Sequence, residues 1–142
     1  MTNGPGPVDL DATALLAASM PLCATLGMRA HEMSPRRVVL SLDWSDALCT
    51  SGGLLHGGAV MALADAAGAA LAFSNLPSGA IGTSTIESKT NFLGVVRSGT
   101  VVATATPLHV GSTTIVVETE LQLGDRLVGK TTQTQTVLRP RG

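Results

Sequence analysis

The stretch Leu54-Leu55-His56-Gly57-Gly58 leads directly into an apolar segment, residues 59–73, that decides the fold. From Gly57 onward every residue of this run is Gly, Ala, Val, Met, Leu or Phe, with the single exception of Asp65. Ala, Leu and Met favour helix, and a helix that is apolar on all sides is normally buried. Its length of about 25 Å is slightly short for a membrane span, and a central carboxylate is costly in lipid. The run therefore predicts the central helix of a soluble domain, with Asp65 either paired or functional.

Composition limits the classes of function that the chain can serve. With 142 residues, a net charge of −1 and 13% charged residues, we expect one domain over residues 9–142, a flexible tail over residues 1–8, and no nucleic-acid or membrane partner. The three aromatic residues offer no base-stacking surface. Cys23 and Cys49 fit neither a disulfide scaffold nor a metal-ligand spacing, so no metal and no cofactor are expected. The first seven residues lack the regions of a signal peptide, which predicts a cytoplasmic location.

The rest of the chain predicts a mainly extended structure. Asp9 or Asp11 can cap a short helix that continues to about Met20, where Pro21 interrupts it. Alternation of apolar and polar residues predicts strands at about residues 28–33, 37–43, 85–93, 101–110, 113–123 and 127–138. Gly124-Asp125 is typical of a tight hairpin turn between the last two strands. One long helix with five or six strands predicts an α+β domain, with a sheet wrapped over the helix.

The spacing between Gly57 and Asp65 places a constraint on any site that uses both residues. Glycines before the helix allow a ligand to approach the backbone, and free amides at a helix start favour negative charge. A phosphate loop is excluded, because no G-x-x-x-x-G-K-[ST] motif is present. Asp65 lies about 12 Å along the helix from Gly57, so one carbonyl carbon cannot contact both groups of one chain. A shared substrate would require two antiparallel helices related by a two-fold axis. The alternatives are a simple tight loop and a structural hydrogen bond of Asp65 in a dimer.

Other residues offer weaker signals. His56 could orient the loop, contact a substrate or cap the helix. No H-E-x-x-H motif indicates a metal, and no G-x-S-x-G elbow indicates a serine hydrolase. Cys49 could be a nucleophile, but its local sequence does not mark an activated thiolate.

Residues 53–58, Gly-Leu-Leu-His-Gly-Gly, followed by Leu63-Ala64-Asp65, resemble the signature of the hotdog-fold acyl-CoA thioesterases. The similarity is greatest to the phenylacetate-pathway (PaaI-like) branch and covers about residues 12–138. It implies an antiparallel sheet around the helix, a homodimer that pairs into a tetramer, and hydrolysis of an acyl-CoA without a cofactor. Two departures are Thr50, where the family commonly has Asn or Gln, and Ser112, where relatives often carry Arg.

The resemblance also implies roles for individual residues. Asp65 would be the nucleophile or the general base, and the Gly57 amide of the partner chain would polarise the thioester carbonyl. His56 would position the loop or substrate, and Thr85 would help to hold the attacking water. Thr50, Gly58, Arg97 and Ser98 would contact the substrate. Two other functions remain open on the same fold: a non-catalytic acyl-CoA or acyl-ligand binding protein, and a hydratase or dehydratase with a His–acid dyad.

Overall fold

The computed structural model describes residues 4–142, so the first three residues of the predicted tail lie outside the described part of the chain. The remainder of that tail lies close to the domain. The carbonyl oxygens of Gly6 and Pro7 are 3.0 and 3.2 Å from Nδ1 of His31. The flexibility of residues 1–8 stays a prediction.

Two short helices precede the sheet. Helix α1, Leu10–Ser19, begins where the Asp9 carboxylate accepts a hydrogen bond from the Ala12 amide over 2.9 Å. Pro21 interrupts this helix as expected, but it also begins a second helix, α2, Pro21–Leu26, which the sequence pattern did not predict. Proline is well suited to the first helical position, because its fixed φ is helical and its missing N–H would have no partner there. Gly27, with φ 77°, ends α2.

Six antiparallel strands form one sheet in the order β1-β2-β4-β5-β6-β3. Their bounds are Arg29–Met33 (β1), Val38–Asp43 (β2), Gly82–Phe92 (β3), Thr100–Val110 (β4), Thr114–Leu123 (β5) and Arg126–Leu138 (β6). The predicted hairpin is confirmed, since Gly124, with φ 59°, and Asp125 form the two-residue connection between β5 and β6. The loop predicted over residues 44–53 contains two short 3₁₀ turns, Asp46–Leu48 and Ser51–Gly53.

The long helix α3, Gly57–Ser74, contacts all six strands and lies against one face of the sheet. Its buried residues, among them Leu63, Ala67 and Leu71, form the core together with the inward side chains of the strands. By length and composition alone, with a mean hydropathy of 1.4, α3 could cross a membrane, but half of it is buried inside this fold. A core helix passes the same test, and the absence of a membrane partner stays a prediction. The predicted α+β hotdog fold is confirmed.

The expectation that α3 is buried on all sides is wrong for a single chain. Five of its residues are exposed: Gly58, Met61, Asp65, Phe73 and, at its last position, Ser74. One side of the helix carries, at helical spacing, Gly58, Met61, Asp65 and Phe73 together with the half-buried Ala62 and Ala69. We call this side the open stripe. The reason is geometric. The sheet covers only one side of the helix, and α1 and α2 are too short to cover the other.

Candidate active site

Asp65 lies in the middle of the open stripe, and two side chains hold one of its carboxylate oxygens. The Thr85 hydroxyl on β3 donates to Oδ1 over 3.2 Å, and the Gln133 amide on β6 donates to the same oxygen over 3.3 Å. Within residues 4–142, no group donates a hydrogen bond to Oδ2. A carboxylate with one oxygen held and the other exposed is suited to act as a base or as a nucleophile.

Thr85 lies beside a β-bulge in strand β3. Thr85 pairs with Gln135 and Glu87 pairs with Thr134, so Ile86 is an extra residue with no opposite residue on β6. A bulge of this kind raises the local twist and redirects side chains. The Gln135 amide donates to Oγ1 of Thr85 over 2.6 Å, which leaves the single hydroxyl hydrogen of Thr85 for Asp65.

His56 caps the N-terminus of α3. Its Nδ1 accepts a hydrogen bond from the Gly58 amide over 2.8 Å, so the neutral ring carries its hydrogen on Nε2. A Cβ on residue 58 would lie 2.9 Å from Nδ1, and glycine is therefore the residue that permits this cap. Of the roles predicted for His56, the structure shows capping, while its contact with substrate stays a prediction. The Gly58 amide is occupied by the cap.

The Gly57 amide differs from that of Gly58, because it takes no part in the cap. Gly57 is the first helical residue, and none of the described residues accepts a hydrogen bond from its N–H. The Phe92 ring packs close to Gly57, since a Cβ on Gly57 would be 3.2 Å from Cζ of that ring. A free amide at a helix N-terminus favours an oxygen that carries partial negative charge. Of the two glycine amides, therefore, only that of Gly57 is available to a ligand.

Three other predicted residues, Thr50, Arg97 and Ser98, lie in or near the loop before α3. The backbone N–H of Thr50 donates to the carbonyl of Leu54 over 2.8 Å, and Nη1 of Arg97 lies 3.5 Å from the carbonyl oxygen of Gly52. Ser98 is exposed beside Arg97. A small cavity of about 200 Å³ lies between this loop, the start of α3 and the segment that follows β3, and both Thr50 and Gly57 line it.

The predicted residues therefore fall into two groups in one chain. Asp65 and Thr85 are in contact at the middle of α3, whereas His56, Gly57, Gly58 and Thr50 lie at its start. The two groups are about 12 Å apart along the helix axis. One chain alone does not bring Gly57 to Asp65, as the spacing predicted.

An apolar cavity of about 660 Å³ opens beside Thr85. It lies between α1, the second half of α3 and the start of β3. Its apolar lining residues are Leu15, Leu16, Met20, Met33, Ala69, Ala70 and Phe73. Thr83, Thr85 and Gln135 form a polar part of the wall, so an apolar group in this cavity would lie next to the Asp65–Thr85 pair.

Sequence reasoning missed Gln133 and Gln135, which connect this polar wall to Asp65. They stand at alternate positions of β6 and are 0% and 1% exposed. A signal for them was present, because a strand that packs on an apolar helix normally carries apolar residues at its inward positions. Two glutamines with that spacing indicate a polar requirement inside the domain.

Cys23 lies close enough to Asp65 for their charges to interact. Burial raises the pKa of the Cys23 thiol, and the negative charge of Asp65 raises it further. Because the thiolate is the reactive form, this effect keeps Cys23 an inert core residue. No group of three or more His, Cys, Asp or Glu side chains within the described residues could hold a metal ion.

The arrangement matches a known family. The model of the Thioesterase superfamily matches residues 52–130, which is more than half of the chain and includes the α3 N-terminus, Asp65 and Thr85. This chain belongs to the Thioesterase superfamily.

Individual relatives agree with this membership. The chain is 32% identical over 103 residues to the proposed esterase Rv1847 of Mycobacterium tuberculosis, covering 71% of this chain and 74% of that protein. It is 36% identical over 95 residues to the proposed esterase ComA2 of Bacillus subtilis, covering 67% and 75% of the two chains.

Solved structures are similar over most of their length. A mutant of thioesterase PA1618 from Pseudomonas aeruginosa superposes with a TM-score of 0.81 at 28% identity, over 89% of this chain and 93% of the other. The structure of Rv1847 gives a TM-score of 0.81 at 26% identity, over 87% and 100%. The names of these relatives, esterase and thioesterase, agree with thioester hydrolysis as the general activity of the family.

Proposed function

We propose that this protein is an acyl-CoA thioesterase of the PaaI-like branch, in which Asp65 performs the chemistry. The observation that carries the proposal is the state of the Asp65 carboxylate. Oδ1 is held by Thr85 and Gln133, Oδ2 accepts no hydrogen bond from a described residue, and Asp65 is exposed on the open stripe. Two donors thus fix the orientation of an exposed carboxylate that is the only ionisable group of α3, and its second oxygen is open to water or a substrate.

Hydrolysis can follow either of two routes from this geometry. As general base, Asp65 takes a proton from water while the water oxygen attacks the thioester carbonyl carbon. The carbon–sulfur bond then breaks, and the CoA sulfur leaves as a thiolate that takes up the proton. As nucleophile, Asp65 forms a mixed anhydride with the acyl group and releases CoA thiolate, and water then hydrolyses the anhydride. Both routes build negative charge on the carbonyl oxygen.

The group that stabilises this charge has to come from a second chain. We infer that the partner's Gly57 amide lies near Asp65 when two α3 helices pack antiparallel through their open stripes. Exposed apolar residues support such a contact: Met61 and Phe73 on α3, with Ile86 and Phe92 on β3. Strand β3 is also a sheet edge of eleven residues, which is long for an edge exposed to water. Further pairing of dimers into a tetramer belongs to the same proposal.

The apolar cavity beside Thr85 is suited to the acyl part of the substrate. Its lining is largely apolar, with Phe73 as the only aromatic residue and with three serines beside the polar wall, so both alkyl and aryl acyl groups are compatible with it. The CoA part would lie outside, where Arg97 is exposed and could contact a phosphate.

The hydratase alternative is less well supported by the site. It requires a histidine that acts with a carboxylate on one substrate carbon, whereas the structure shows His56 in a capping role at the start of α3. The Nδ1 atom of His56 is already used by the Gly58 amide.

A panel of alkyl and aryl acyl-CoAs, assayed for release of free thiol, tests the proposal. We expect turnover of at least one substrate by the wild-type protein and a loss of at least about 10²-fold in kcat for Asp65→Asn. Tight binding of acyl-CoA without thiol release would instead identify a binding protein.

A further inference from the structure

Gln133 and Gln135 form a hydrogen-bond network that ends at Asp65. The Thr83 hydroxyl donates to Oε1 of Gln135, whose Nε2 donates to Thr85, and Thr85 donates to Oδ1 of Asp65. Gln133 reaches the same oxygen directly from the next inward position of β6. Both paths therefore end on Oδ1, and neither reaches Oδ2.

The orientation of each amide is determined by its neighbours. If the Gln135 amide were reversed, its oxygen would face Oγ1 of Thr85, and the Thr85 hydrogen would be drawn away from Asp65. If the Gln133 amide were reversed, its oxygen would face a carboxylate oxygen that has no hydrogen to offer. Only the observed orientations deliver two donors to Asp65.

Gln133 is an unfavourable residue for stability alone. Its side chain is fully buried, and its Oε1 accepts no hydrogen bond from the part of the chain that the structure describes. This oxygen is directed at Gly68 of α3, where a Cβ would lie only 2.2 Å away. An apolar side chain of the same volume would fill the space without a buried, unpaired acceptor. The packing of the core thus does not explain the glutamine, whereas the hydrogen bond to Asp65 does.

We propose that Gln133 and Gln135 are positioning residues for the catalytic carboxylate. This role rests on the proposed function of Asp65. The two glutamines hold Oδ1, so that Oδ2 is directed at the water or the acyl carbon. Gln133 acts directly and Gln135 acts through Thr85. Gly68 completes the arrangement, because only a residue without Cβ leaves room for the Gln133 amide.

Gln133→Met tests the proposal, since methionine has a similar length and no donor. We expect kcat to fall by at least about tenfold, as for a misplaced catalytic group, with KM within about twofold of wild type. The melting temperature should be unchanged or higher, because an unpaired buried oxygen has been removed. A structural role for Gln133 predicts the opposite result, with a lower melting temperature and an unchanged kcat.

Thr131→Val is the matched control. Thr131 is buried on the same face of β6, two residues before Gln133, and its hydroxyl contacts that of Thr90 rather than Asp65. This variant should lose a buried hydrogen bond and keep its kcat. An equal loss of kcat in Thr131→Val and Gln133→Met would overturn the proposal.

A double-mutant cycle tests whether Gln135 acts on Asp65 through Thr85. Gln135→Met should lower kcat in the wild-type background and have little further effect in a Thr85→Val background, because Gln135 acts through that hydroxyl. Full additivity of the two changes would refute this path. Should Gln133→Met fail to fold, Gly68→Ala displaces the same amide without removing it and should also lower kcat.

Asp65→Asn is assayed in parallel to separate this proposal from the proposed function. If Asp65→Asn keeps its turnover, the catalytic assignment of Asp65 fails. If Asp65→Asn is inactive while Gln133→Met has wild-type kcat, only the positioning role fails. A raised KM with unchanged kcat in Gln133→Met would show a substrate contact instead and would also overturn the positioning role.

Discussion

Gly68 of α3 and Gln133 of β6 approach so closely that a Cβ on Gly68 would lie 2.2 Å from Oε1 of the glutamine. Both residues are fully or nearly fully buried, so neither can move into solvent to relieve a clash. The contact joins the central helix to the strand that supplies a donor to Asp65. It also explains a glycine within a helix, where glycine is normally unfavourable.

Gly68→Ala should therefore destabilise the protein. Alanine improves helix propensity by about 1 kcal/mol, but overpacking costs about 1–3 kcal/mol, so we expect a net loss of up to about 2 kcal/mol. In a Gln133→Ala background the same change should be stabilising, because the obstructing amide is gone. Urea unfolding of the wild type, Gly68→Ala, Gln133→Ala and the double variant measures the change in the free energy of unfolding in each background. A stabilising Gly68→Ala in the wild-type background would contradict the close contact.

Asp65→Asn should remove activity without removing the fold. Asparagine keeps an oxygen that can accept the hydrogen bonds of Thr85 and Gln133, so we expect the melting temperature to change little. It cannot act as a base or a nucleophile, so kcat should fall by at least about 10²-fold. Both quantities are measured on one purified sample. Retained turnover together with a lowered melting temperature would show that Asp65 is structural.

Gly57→Pro should remove one amide and leave α3 intact. Proline is favourable at the first helical position, and the preceding His56, with φ −62° and ψ 133°, already has a conformation that a following proline accepts. Gly57→Ala is the matched control, since it crowds Phe92 in a similar way and keeps the N–H. We expect a large loss of kcat in the proline variant and a small loss in the alanine variant.

Hybrid dimers test whether the site is shared. Mixing Gly57→Pro chains with Asp65→Ala chains should restore activity, because each hybrid dimer would contain one site with both groups intact. The absence of any recovery, with subunit exchange shown by mass spectrometry, would exclude a shared site.

Arg97→Ala should weaken the binding of CoA. Arg97 is exposed, and its contact with the Gly52 carbonyl at 3.5 Å is long, so its charge is available to a phosphate. We expect KM to rise several-fold with little change in kcat, as when uniform binding is lost. Arg36→Ala, at an exposed arginine in the turn between β1 and β2, is the control and should leave KM unchanged. An equal KM for wild type and Arg97→Ala would remove Arg97 from the binding site.

The two cysteines should differ in reactivity. Burial and the charge of Asp65 raise the pKa of the Cys23 thiol, so its reactive thiolate is disfavoured, and only 3% of the residue is exposed. Cys49 is partly exposed. We expect one thiol per native chain to react rapidly with a disulfide reagent and two after denaturation, with Cys49→Ser abolishing the rapid phase. Rapid labelling of Cys23 in the native protein would contradict its burial.

The sequence by itself determined the elements and their general arrangement. The apolar run after Gly57, which only Asp65 interrupts, requires burial of most of its surface, and this identified α3 as the central helix. The alternating segments after it predicted strands, and the single carboxylate in the run identified Asp65 as the residue to explain. The spacing of Gly57 and Asp65 was also readable, because helical rise is the same in every sequence.

Tertiary structure decided which side chains meet. Thr85 and Gln133 contact Asp65 from 20 and 68 residues away, and these contacts depend on strand register and on the bulge at Ile86. The open stripe of α3 likewise follows from how far the sheet reaches around the helix. Hydrophobic periodicity is a local property that sets the buried face of each element, whereas strand register and helix packing are fixed only when all elements bury those faces together.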